Sequence, residues 1–525
     1  MHVVWYKRDL RIADHRPLAA AIAASRSSGQ PVLCLYVYEP DYWTLPDVDV
    51  RHLTATNRSL TELRRSLRQR GGELVIRVGD VVPTLDQLHR DHGISSLHSH
   101  EETGNDWTYR RDIAVGAWAR EAGIEWTEEV QNGVIRRLKD RDGWAKRWRQ
   151  RMTEPLTPTP DAIPAASVRP IGRVAPPESL GLPPNPNAKH QQPTGETLAH
   201  AILDSFLADR GANYHREMSS PVTAPTSCSR LSVHLVYGNL SMRQAYQALA
   251  ARQEEVRRRK ADGEDTGDWL SALRAYGARL RWHCHFMQKL EDQPSLEWEN
   301  MNRQYDALRP FEPDPERLAA WQEGRTGYPM VDACMRSVAK TGYLNFRMRA
   351  MVVSFASYHL WLHWREPSLH LARLFTDYEP GIHFSQFQMQ SGTTGINTVR
   401  IYSPIKQVSD QDPTGVFIRR WVPELRNVPD KFLPQPERMD GLVQQAAGCL
   451  IGEDYPPPIV DHKTAYAEAR RRVSAIRRTD AARAEAAEVL ERHGSRKRPP
   501  NRRRAKAKAT ERERDESLAK AVPAP

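Results

Sequence analysis

The first 130 residues alternate short apolar runs with stretches of helical periodicity. β-branched and aromatic residues dominate the runs at 2–6, 31–38, 73–77 and 94–98, which predict buried strands. Helix-compatible sequence lies between these runs. A strand, helix, strand repeat requires right-handed crossovers and a parallel sheet, with ligands at the carboxyl ends of its strands. We therefore predict a doubly wound α/β domain over residues 1–150.

The pattern changes twice further along the chain. Residues 151–195 hold eleven of the 38 prolines and little apolar periodicity, so we predict an extended connector over 151–196. Beyond it, long helical periods replace the strand candidates, and we predict an all-helical domain over 197–480. One buried helical stripe is expected from five apolar residues at three- and four-residue spacing: Met348, Met351, Phe355, Tyr358 and Leu362.

The composition is that of a globular protein. Apolar residues make up 39% and charged residues 27%, with 14 Trp and no apolar run near the roughly 18 residues of a membrane span. The five cysteines form no C-x-x-C pair, which argues against a disulfide framework and favours a reducing compartment. No secretory signal begins the chain. We expect a monomeric, intracellular and cytoplasmic protein that has no membrane partner.

The net charge of +11 is concentrated at the carboxyl end. Residues 493–525 carry eleven Lys and Arg against four acids, which leaves +4 for the rest of the chain. Such a segment cannot bury enough apolar surface to offset its ordering entropy, so we predict a basic, disordered tail over 481–525. Two roles stay open: association with polyanions at low salt, or solubilisation alone.

Two sets of residues have the chemistry of an anion or charge site. Residues 226–232 (TSCSRLS) precede a helical run, and hydroxyls with unpaired N–H groups at a helix start suit a phosphate or pyrophosphate. Taken alone, that pattern favours an ordinary N-cap. Arg349 and Asp377 flank an apolar helix and would have to pair if buried, although their spacing alone favours a surface salt bridge.

The segment 377–390 mixes acids, a histidine, aromatics and three glutamines. It is neither a good helix nor a good strand, so it predicts a loop suited to a polar ligand edge. Metal binding by His383 with Glu379 lacks a third ligand at recognised spacing, and we predict no metal site.

Several separated motifs occur in the order and spacing of one known family. They are the runs 5–11 (WYKRDLR), 324–336 (GRTGYPMVDACMR), 341–349, 400–404 (RIYSP) and 417–425 (FIRRWVPEL). Over residues 1 to about 430 the chain resembles the photolyase/cryptochrome family. The resemblance implies FAD in the helical domain and an α/β antenna domain. No motif selects a folate over a deazaflavin as the antenna chromophore, or shows that one is held.

The resemblance also implies the cofactor site by position. Arg349 and Asp377 match an ion pair beside the flavin ring, where a guanidinium stabilises negative charge on the reduced flavin. Glu379 stands near the pyrimidine edge of the flavin, His383 faces its N5 position, and His283, in place of an arginine, joins the pocket. The phosphate cradle is implied at Tyr214, Thr226, Ser227, Ser229, Leu231 and Ser232, in a run two residues longer than the family's.

A lesion pocket is implied beside the flavin. Trp282 matches the tryptophan that stacks on a flipped base, while Arg279 replaces a glutamate and Met389 a tryptophan. Phe346 stands where asparagine is common, and we expect the adjacent Asn345 to supply that polar contact. Phosphate contacts, which fix position without reading sequence, are implied at Arg347 and Arg400.

The family's chain of three tryptophans is incomplete. Only Trp364 is retained, while Phe387 and Phe311 occupy the positions nearest to and farthest from the flavin. Photoreduction is then slow, or it follows another route through Tyr378, Tyr402 or Trp361.

The resemblance therefore implies a light-driven lyase that binds damaged DNA, is associated with the nucleoid, and splits cyclobutane pyrimidine dimers by electron donation from reduced FAD. The catalytic set is Trp282, Arg349, Asp377, His383 and Trp364. A cryptochrome-type blue-light receptor without repair activity is the first alternative. A light-independent nucleotide-binding protein that uses the α/β half alone is the second.

Overall fold

The computed structural model describes residues 1–496, and within them five parallel strands form one sheet in the order β3–β2–β1–β4–β5. At the centre, His2 of β1 is in register with Val32 of β2 and Ser96 of β4. The chain therefore reverses its direction of travel across the sheet at β1. The elements of this half are β1 His2–Tyr6, α1 Arg16–Ser28, β2 Val32–Tyr38, α2 Pro40–Trp43, α3 Val50–Arg68, β3 Leu74–Val78, α4 Val81–His92, β4 Ser96–His100, α5 Asp106–Glu121 and β5 Glu125–Glu129.

Burial of the sheet on both faces explains its strand sequences. Val4 and Tyr6 of β1 belong to one apolar core, and Val3 and Trp5 to another on the opposite face. Runs without alternation are typical of parallel strands covered by helices. The predicted doubly wound α/β half is confirmed. Our prediction missed the edge strand β5, because its sequence EWTEE is mostly charged and lacks an apolar run.

The rest of the described chain is helical, as predicted. Its helices are α6 Trp144–Thr153, α7 Glu196–Ser205, α8 Tyr214–Glu217, α9 Ala224–Ser227, α10 Ser232–Val236, α11 Met242–Ala261, α12 Trp269–Asp292, α13 Pro315–Glu323, α14 Pro329–Thr341, α15 Phe346–Ser354, α16 Arg365–Leu374, α17 Pro380–Ser391, α18 Pro404–Gln411, α19 Val416–Trp421, α20 Gly441–Ala447, α21 His462–Arg477 and α22 Asp480–His493. Wide π-type turns continue α7 over Phe206–Arg210 and α15 over Phe355–His359.

The predicted apolar stripe is buried, and it forms much of the core of the helical half. Met348 and Met351 on α15 pack with the helices that follow, and each of the five stripe residues is at most 2% exposed.

The predicted extended connector packs closely against the α/β half. Residues 154–195 contain two short 3₁₀-helices, Pro177–Leu180 and Ala188–His190, and no longer helix. Ile163, Ala175 and Leu180 nevertheless enter one core of the α/β half. At the other boundary, α6 packs its tryptophans with α11 and α12, so the helical half begins before residue 150.

Two predictions about irregular structure are wrong. Residues 377–390 are mostly helical, because Pro380 opens α17 and Gly392, at φ 78°, ends it. Residues 481–493, expected in the disordered tail, form α22, whose Val489 packs on Leu296 and Met301. The remainder of the predicted tail, from residue 497, lies outside the described residues. Across residues 1–496, no helix is both long and apolar enough to span a membrane.

Candidate cofactor site between the two halves

Arg349 and Asp377 form a partly buried ion pair in the helical half, with the Arg349 side chain 26% and the Asp377 side chain 8% exposed. Nη2 of Arg349, on α15, lies 2.8 and 2.9 Å from the two carboxylate oxygens of Asp377, in the loop before α17. The guanidinium also lies 3.9 Å from the centre of the Phe375 ring, and its Nε donates to the Leu344 carbonyl. Burial opposes ionisation of Asp377. The charge and hydrogen bond of Arg349, with a hydrogen bond from Ser232 and the charge of Arg230, together outweigh burial and lower the pKa of that carboxyl. The pair is therefore charged at neutral pH.

His383 lies in an aromatic pocket and not in an open cleft. Its ring contacts Tyr378 and Phe387, and its Nε2 lies 2.8 Å from the carbonyl oxygen of Ser368. Burial lowers the pKa of His383 to about 3, so the ring is neutral. Because a carbonyl only accepts, Nε2 carries the proton and Nδ1 keeps its lone pair. The acceptor that remains on the His383 ring is therefore Nδ1.

Glu379 and His283 line a cavity between the halves, together with Arg8, Val236 and Met287. Oε2 of Glu379 accepts from Nη2 of Arg8 at 2.6 Å, whereas its buried Oε1 has no partner in the described chain. Nδ1 of His283 is also buried and unpartnered there. Burial raises the pKa of Glu379 against the effect of Arg8, and it lowers the pKa of His283 to about 4. Two unsatisfied groups in one cavity fit a ligand with a polar edge, such as the pyrimidine ring of a flavin.

The hydroxyl-rich run is divided by the structure. Thr226 and Ser227 belong to α9, and their hydroxyls donate to the Thr223 carbonyl and to Glu217. The expected phosphate contacts at these two residues are therefore corrected, since local acceptors occupy them. Ser232 opens α10, whose first N–H groups have no intrahelical acceptor, and Ser229 precedes it. The Ser232 side chain hydrogen-bonds Asp377, and that of Ser229 hydrogen-bonds Tyr276.

Two further cradle residues are core residues, and the Tyr214 side chain also hydrogen-bonds Arg279. Leu231, just before α10, and Tyr214, on α8, are both buried in the same core beneath the run. Their side chains pack the run against the helices, so their contribution to the phosphate cradle is to position its backbone.

The expected lesion pocket opens where α12 meets the start of α15. Trp282 is partly exposed and packs on Phe286, with 5.2 Å between ring centres. One turn earlier, the Arg279 guanidinium lies 5.0 Å from the ring of Phe346, which is 45% exposed. Met389 of α17 is also partly exposed. The pocket thus offers a cation and two aromatic faces.

Asn345 does not contribute to that pocket as expected. Its Nδ2 donates to the carbonyls of Met218 at 3.1 Å and Ser219 at 2.7 Å, and the residue is buried. The expected substrate contact at Asn345 is therefore corrected, because both amide hydrogens are used to tie α15 to the loop after α8. Arg347 and Arg400 remain accessible, the second fully exposed.

The aromatic residues considered for electron transfer differ in surroundings. Trp364 is fully buried, donates to Asn300 and lies 6.4 Å from the Phe384 ring. Trp361 lies between two guanidinium groups, at 4.7 Å from Arg309 and 4.9 Å from Arg472. Two adjacent positive charges disfavour a tryptophan radical cation, which weakens the route through Trp361.

Tyr378 has a different environment. Its hydroxyl donates to a buried carboxylate oxygen of Asp47 at 2.5 Å, and burial with that negative charge raises its pKa well above the ordinary value. The bond joins the helical half to the α/β half. Sequence reasoning missed Asp47, which lies in the turn between α2 and α3 and belongs to no recognisable motif.

Other site residues from the α/β half were also missed. Arg8 was inside the quoted run 5–11 but received no role, although it pairs with Glu379. Arg51 and His52, at the start of α3, contact carbonyls of the segment before α17. The available signal was the run 5–11, a motif of the family that lies in the α/β half and contains Arg8.

A second group of metal-ligand types lies at the carboxyl end of the sheet. Oδ2 of Asp9 accepts from Nε2 of His15 at 2.9 Å and from Nδ1 of His100 at 2.7 Å, and all three residues are buried. Nδ1 of His15 accepts the N–H of Leu18 as the cap of α1. The ring proton of His15 therefore stands on Nε2 toward Asp9. This tautomer makes the group a hydrogen-bonded support for the loop after β1.

Comparison with known proteins agrees with this geometry. A family model described as "FAD binding domain of DNA photolyase" matches residues 276–475, and one described as "DNA photolyase" matches residues 2–140. The deoxyribodipyrimidine photo-lyase of Escherichia coli K12 is 30% identical over 494 residues, which cover 91% of this chain and 99% of that protein. Cryptochrome-2 of Gallus gallus is 26% identical over 484 residues, 88% of this chain and 80% of that protein.

Solved structures show the same architecture. A bacterial class III photolyase from Agrobacterium tumefaciens has a TM-score of 0.76 and 25% identity, covering 91% of this chain and 98% of that chain. An archaeal photolyase from Sulfolobus tokodaii with two FAD molecules has a TM-score of 0.72 and 22% identity. The match covers 90% of this chain and 100% of that chain.

Proposed function

Because this chain belongs to the DNA photolyase and cryptochrome family, we propose that it is a light-driven lyase that splits cyclobutane pyrimidine dimers in damaged DNA. The observation that carries the proposal is the partly buried Arg349–Asp377 pair, two residues before the unpartnered Glu379 Oε1. When bound, FAD supplies the light-excited electron donor for this chemistry. The damaged strand is the partner, and the reaction uses no hydrolysis.

Each residue of the site has a distinct role in this proposal. Arg349 places a positive charge beside the ring, and Phe375 packs its ring against the guanidinium at 3.9 Å. His383 stays neutral and accepts a hydrogen bond through Nδ1. Ser229, Ser232 and the first turn of α10 hold the phosphates.

DNA contacts fall on the outer side of the same cleft. Trp282 stacks on the flipped dimer, and Met389 closes the apolar side of the pocket. Arg279 donates to base carbonyl oxygens where the family has an acid. Arg347 and Arg400 contact phosphates and carry no sequence information.

A blue-light receptor of cryptochrome type is the second candidate, and one observation favours it. The Asn345 amide nitrogen donates to backbone carbonyls, and Arg279 packs against the exposed Phe346, so neither side chain offers a free amide N–H or a carboxylate to a pyrimidine edge. A receptor would keep the Arg349–Asp377 pair and the cofactor and would not need dimer contacts.

We further propose that a second chromophore, a folate or deazaflavin, binds at the carboxyl ends of the strands. A cavity of about 70 Å³ lies there, lined by Trp5, Arg8, Tyr42, Arg111 and other residues from both halves. The archaeal photolyase of the same fold is described with two FAD molecules, which supports the idea of a second chromophore. Arg111 is held by Glu39 and Glu102, so a chromophore must displace these ion pairs. Absorption spectra of the purified protein test this proposal. A protein that carries no second chromophore would contradict it.

An illumination assay tests the main proposal. The purified protein is expected to show a flavin absorption spectrum and, under reducing conditions, to remove the dimer from a single-dimer oligonucleotide in blue light and not in the dark. Chromatography of the digested oligonucleotide measures the dimer. A flavin spectrum without loss of the dimer would contradict the lyase proposal and favour the blue-light receptor. A protein that binds no flavin would contradict both proposals.

A further inference from the structure

The segment 374–379, which carries Asp377 and Glu379, is held at every residue by a polar contact. Four of the six contacts come from the α/β half. The carbonyls of 374 and 375 accept from Arg51 and His52, the hydroxyl of 378 donates to Asp47, and the carboxylate of 379 accepts from Arg8. Within the helical half, the Tyr237 hydroxyl donates to the 376 carbonyl, and Arg349 pairs with 377.

His52 is the most constrained of these groups. Its Nε2 lies 3.0 Å from the Phe375 carbonyl oxygen, and its Nδ1 accepts the backbone N–H of Asp49 at 3.1 Å. The ring stacks on Tyr378 with 5.8 Å between centres and an angle of 25°. Burial lowers the pKa of His52, so the ring is neutral with its proton on Nε2. Both nitrogens and one face of the ring are therefore used.

Phe375 connects this contact to the ion pair. Its carbonyl accepts from His52, while its own ring lies 3.9 Å from the Arg349 guanidinium. The next residue is fixed as well, because the Thr376 N–H donates to the Gly342 carbonyl at 3.1 Å. Gly342 has φ 73°, and a Cβ there would collide with the Thr376 side chain. The backbone from 375 to 377 therefore has little freedom once His52 is in place.

We propose that His52 is a positioning residue for the Arg349–Asp377 pair. It acts through Phe375, and by this contact the α/β half sets the affinity and the electronic surroundings of the cofactor in the helical half. The inference rests on the proposed function only in taking the cofactor to be a flavin. It assigns the α/β half a role that needs no chromophore there.

A purely structural role for His52, as one of many contacts between the halves, is the competing explanation. The Arg243–Asp14 pair provides a matched control, since it also joins the two halves, with Nη2 and Oδ1 2.5 Å apart and both side chains buried. Neither residue contacts the segment 374–379. Loss of this pair removes a buried contact between the halves without touching the ion pair.

The experiment compares His52→Leu, His52→Gln and Arg243→Met with the full-length protein. After removal of flavin, FAD affinity is measured by fluorescence quenching, the rebound flavin by its absorption spectrum and reduction potential, and the FAD-free protein by its thermal midpoint. Loss of the His52 donor is expected to weaken FAD binding roughly tenfold and to shift the flavin spectrum. Glutamine, whose amide N–H can reach the same carbonyl, is expected to restore affinity to within about threefold.

Arg243→Met is expected to lower the thermal midpoint while affinity and spectrum stay unchanged. The proposal is overturned if His52→Leu lowers only the thermal midpoint, as the control does, or if His52→Gln behaves like His52→Leu. Should His52→Leu not fold, Phe375→Leu removes the ring against Arg349 and must give the same spectral shift. Wild-type protein that binds FAD without splitting dimers would defeat the proposed lyase but leave this test intact.

Discussion

The inner wall and the outer rim of the candidate site are built differently. On the inner wall, Arg349 and Asp377 are mostly shielded from solvent and bond to each other, and the Arg349 Nε also donates to the Leu344 carbonyl. On the rim, Phe346 is 45% exposed, and Arg400 has an exposed side chain. A satisfied buried network is costly to alter, whereas an exposed contact can change with little loss of stability. The departures from the family pattern in the lesion pocket accordingly fall on the rim.

Breaking the inner wall should have the largest effect. Arg349→Met leaves the Asp377 carboxylate buried without its partner, and we expect the free energy of unfolding to fall by about 3 kcal/mol. Urea unfolding of the FAD-free protein measures this loss.

The double variant Arg349→Met with Asp377→Leu removes both charges and should recover part of the stability. If the free energy of unfolding does not recover in the double variant, the loss in the single variant comes from the attraction between the two side chains and not from an isolated charge.

Breaking the rim should affect DNA alone. Trp282→Ala removes a stacking face, and we expect binding of dimer-containing DNA to weaken by about 2 kcal/mol, close to thirtyfold, with thermal stability and FAD affinity retained. Fluorescence anisotropy with damaged and undamaged oligonucleotides measures it.

Trp298→Ala, at an exposed tryptophan outside the proposed contacts, is the control. If the Trp282 variant loses equal affinity for damaged and undamaged oligonucleotides, Trp282 does not stack on the dimer. The rim would then not be specific for damaged DNA.

The smallest effect concerns the pH dependence of the inner wall. Because burial lowers the pKa of His383 to about 3, the unfolded chain binds a proton below about pH 6.5 that the folded protein does not. Stability that is complete above pH 6.5 is therefore lost as pH falls toward 3. His383→Gln keeps a donor for Ser368 and should reduce this slope by one proton, about 1.4 kcal/mol per pH unit.

Unfolding free energies at several pH values between 4 and 6 measure that slope. His92→Gln, at an exposed histidine, should leave it unchanged. An unaltered slope in the His383 variant would show that the ring is already protonated or solvated in the folded protein.

Prediction from sequence succeeded where a local pattern reports burial. The strand runs are continuously apolar and the stripe through Met348 repeats at the helical period, so the two halves could be located from local sequence alone. It failed for 377–390, where glutamines and a histidine conceal a helix whose buried face includes Phe384 and Phe387. It also failed for Asn345, since nothing beside it in the chain indicates that the Ser219 carbonyl would take its amide.

What the chain determined by itself is the division into an α/β half and a helical half, together with the residue types available to the site. These follow from hydrophobic periodicity and from motifs, both of which are local. Only the tertiary structure decided which groups meet: His52 and the Phe375 carbonyl lie 323 residues apart in the chain. Such a contact depends on how two separately patterned halves pack, because a hydrogen bond requires distance and direction that periodicity does not encode.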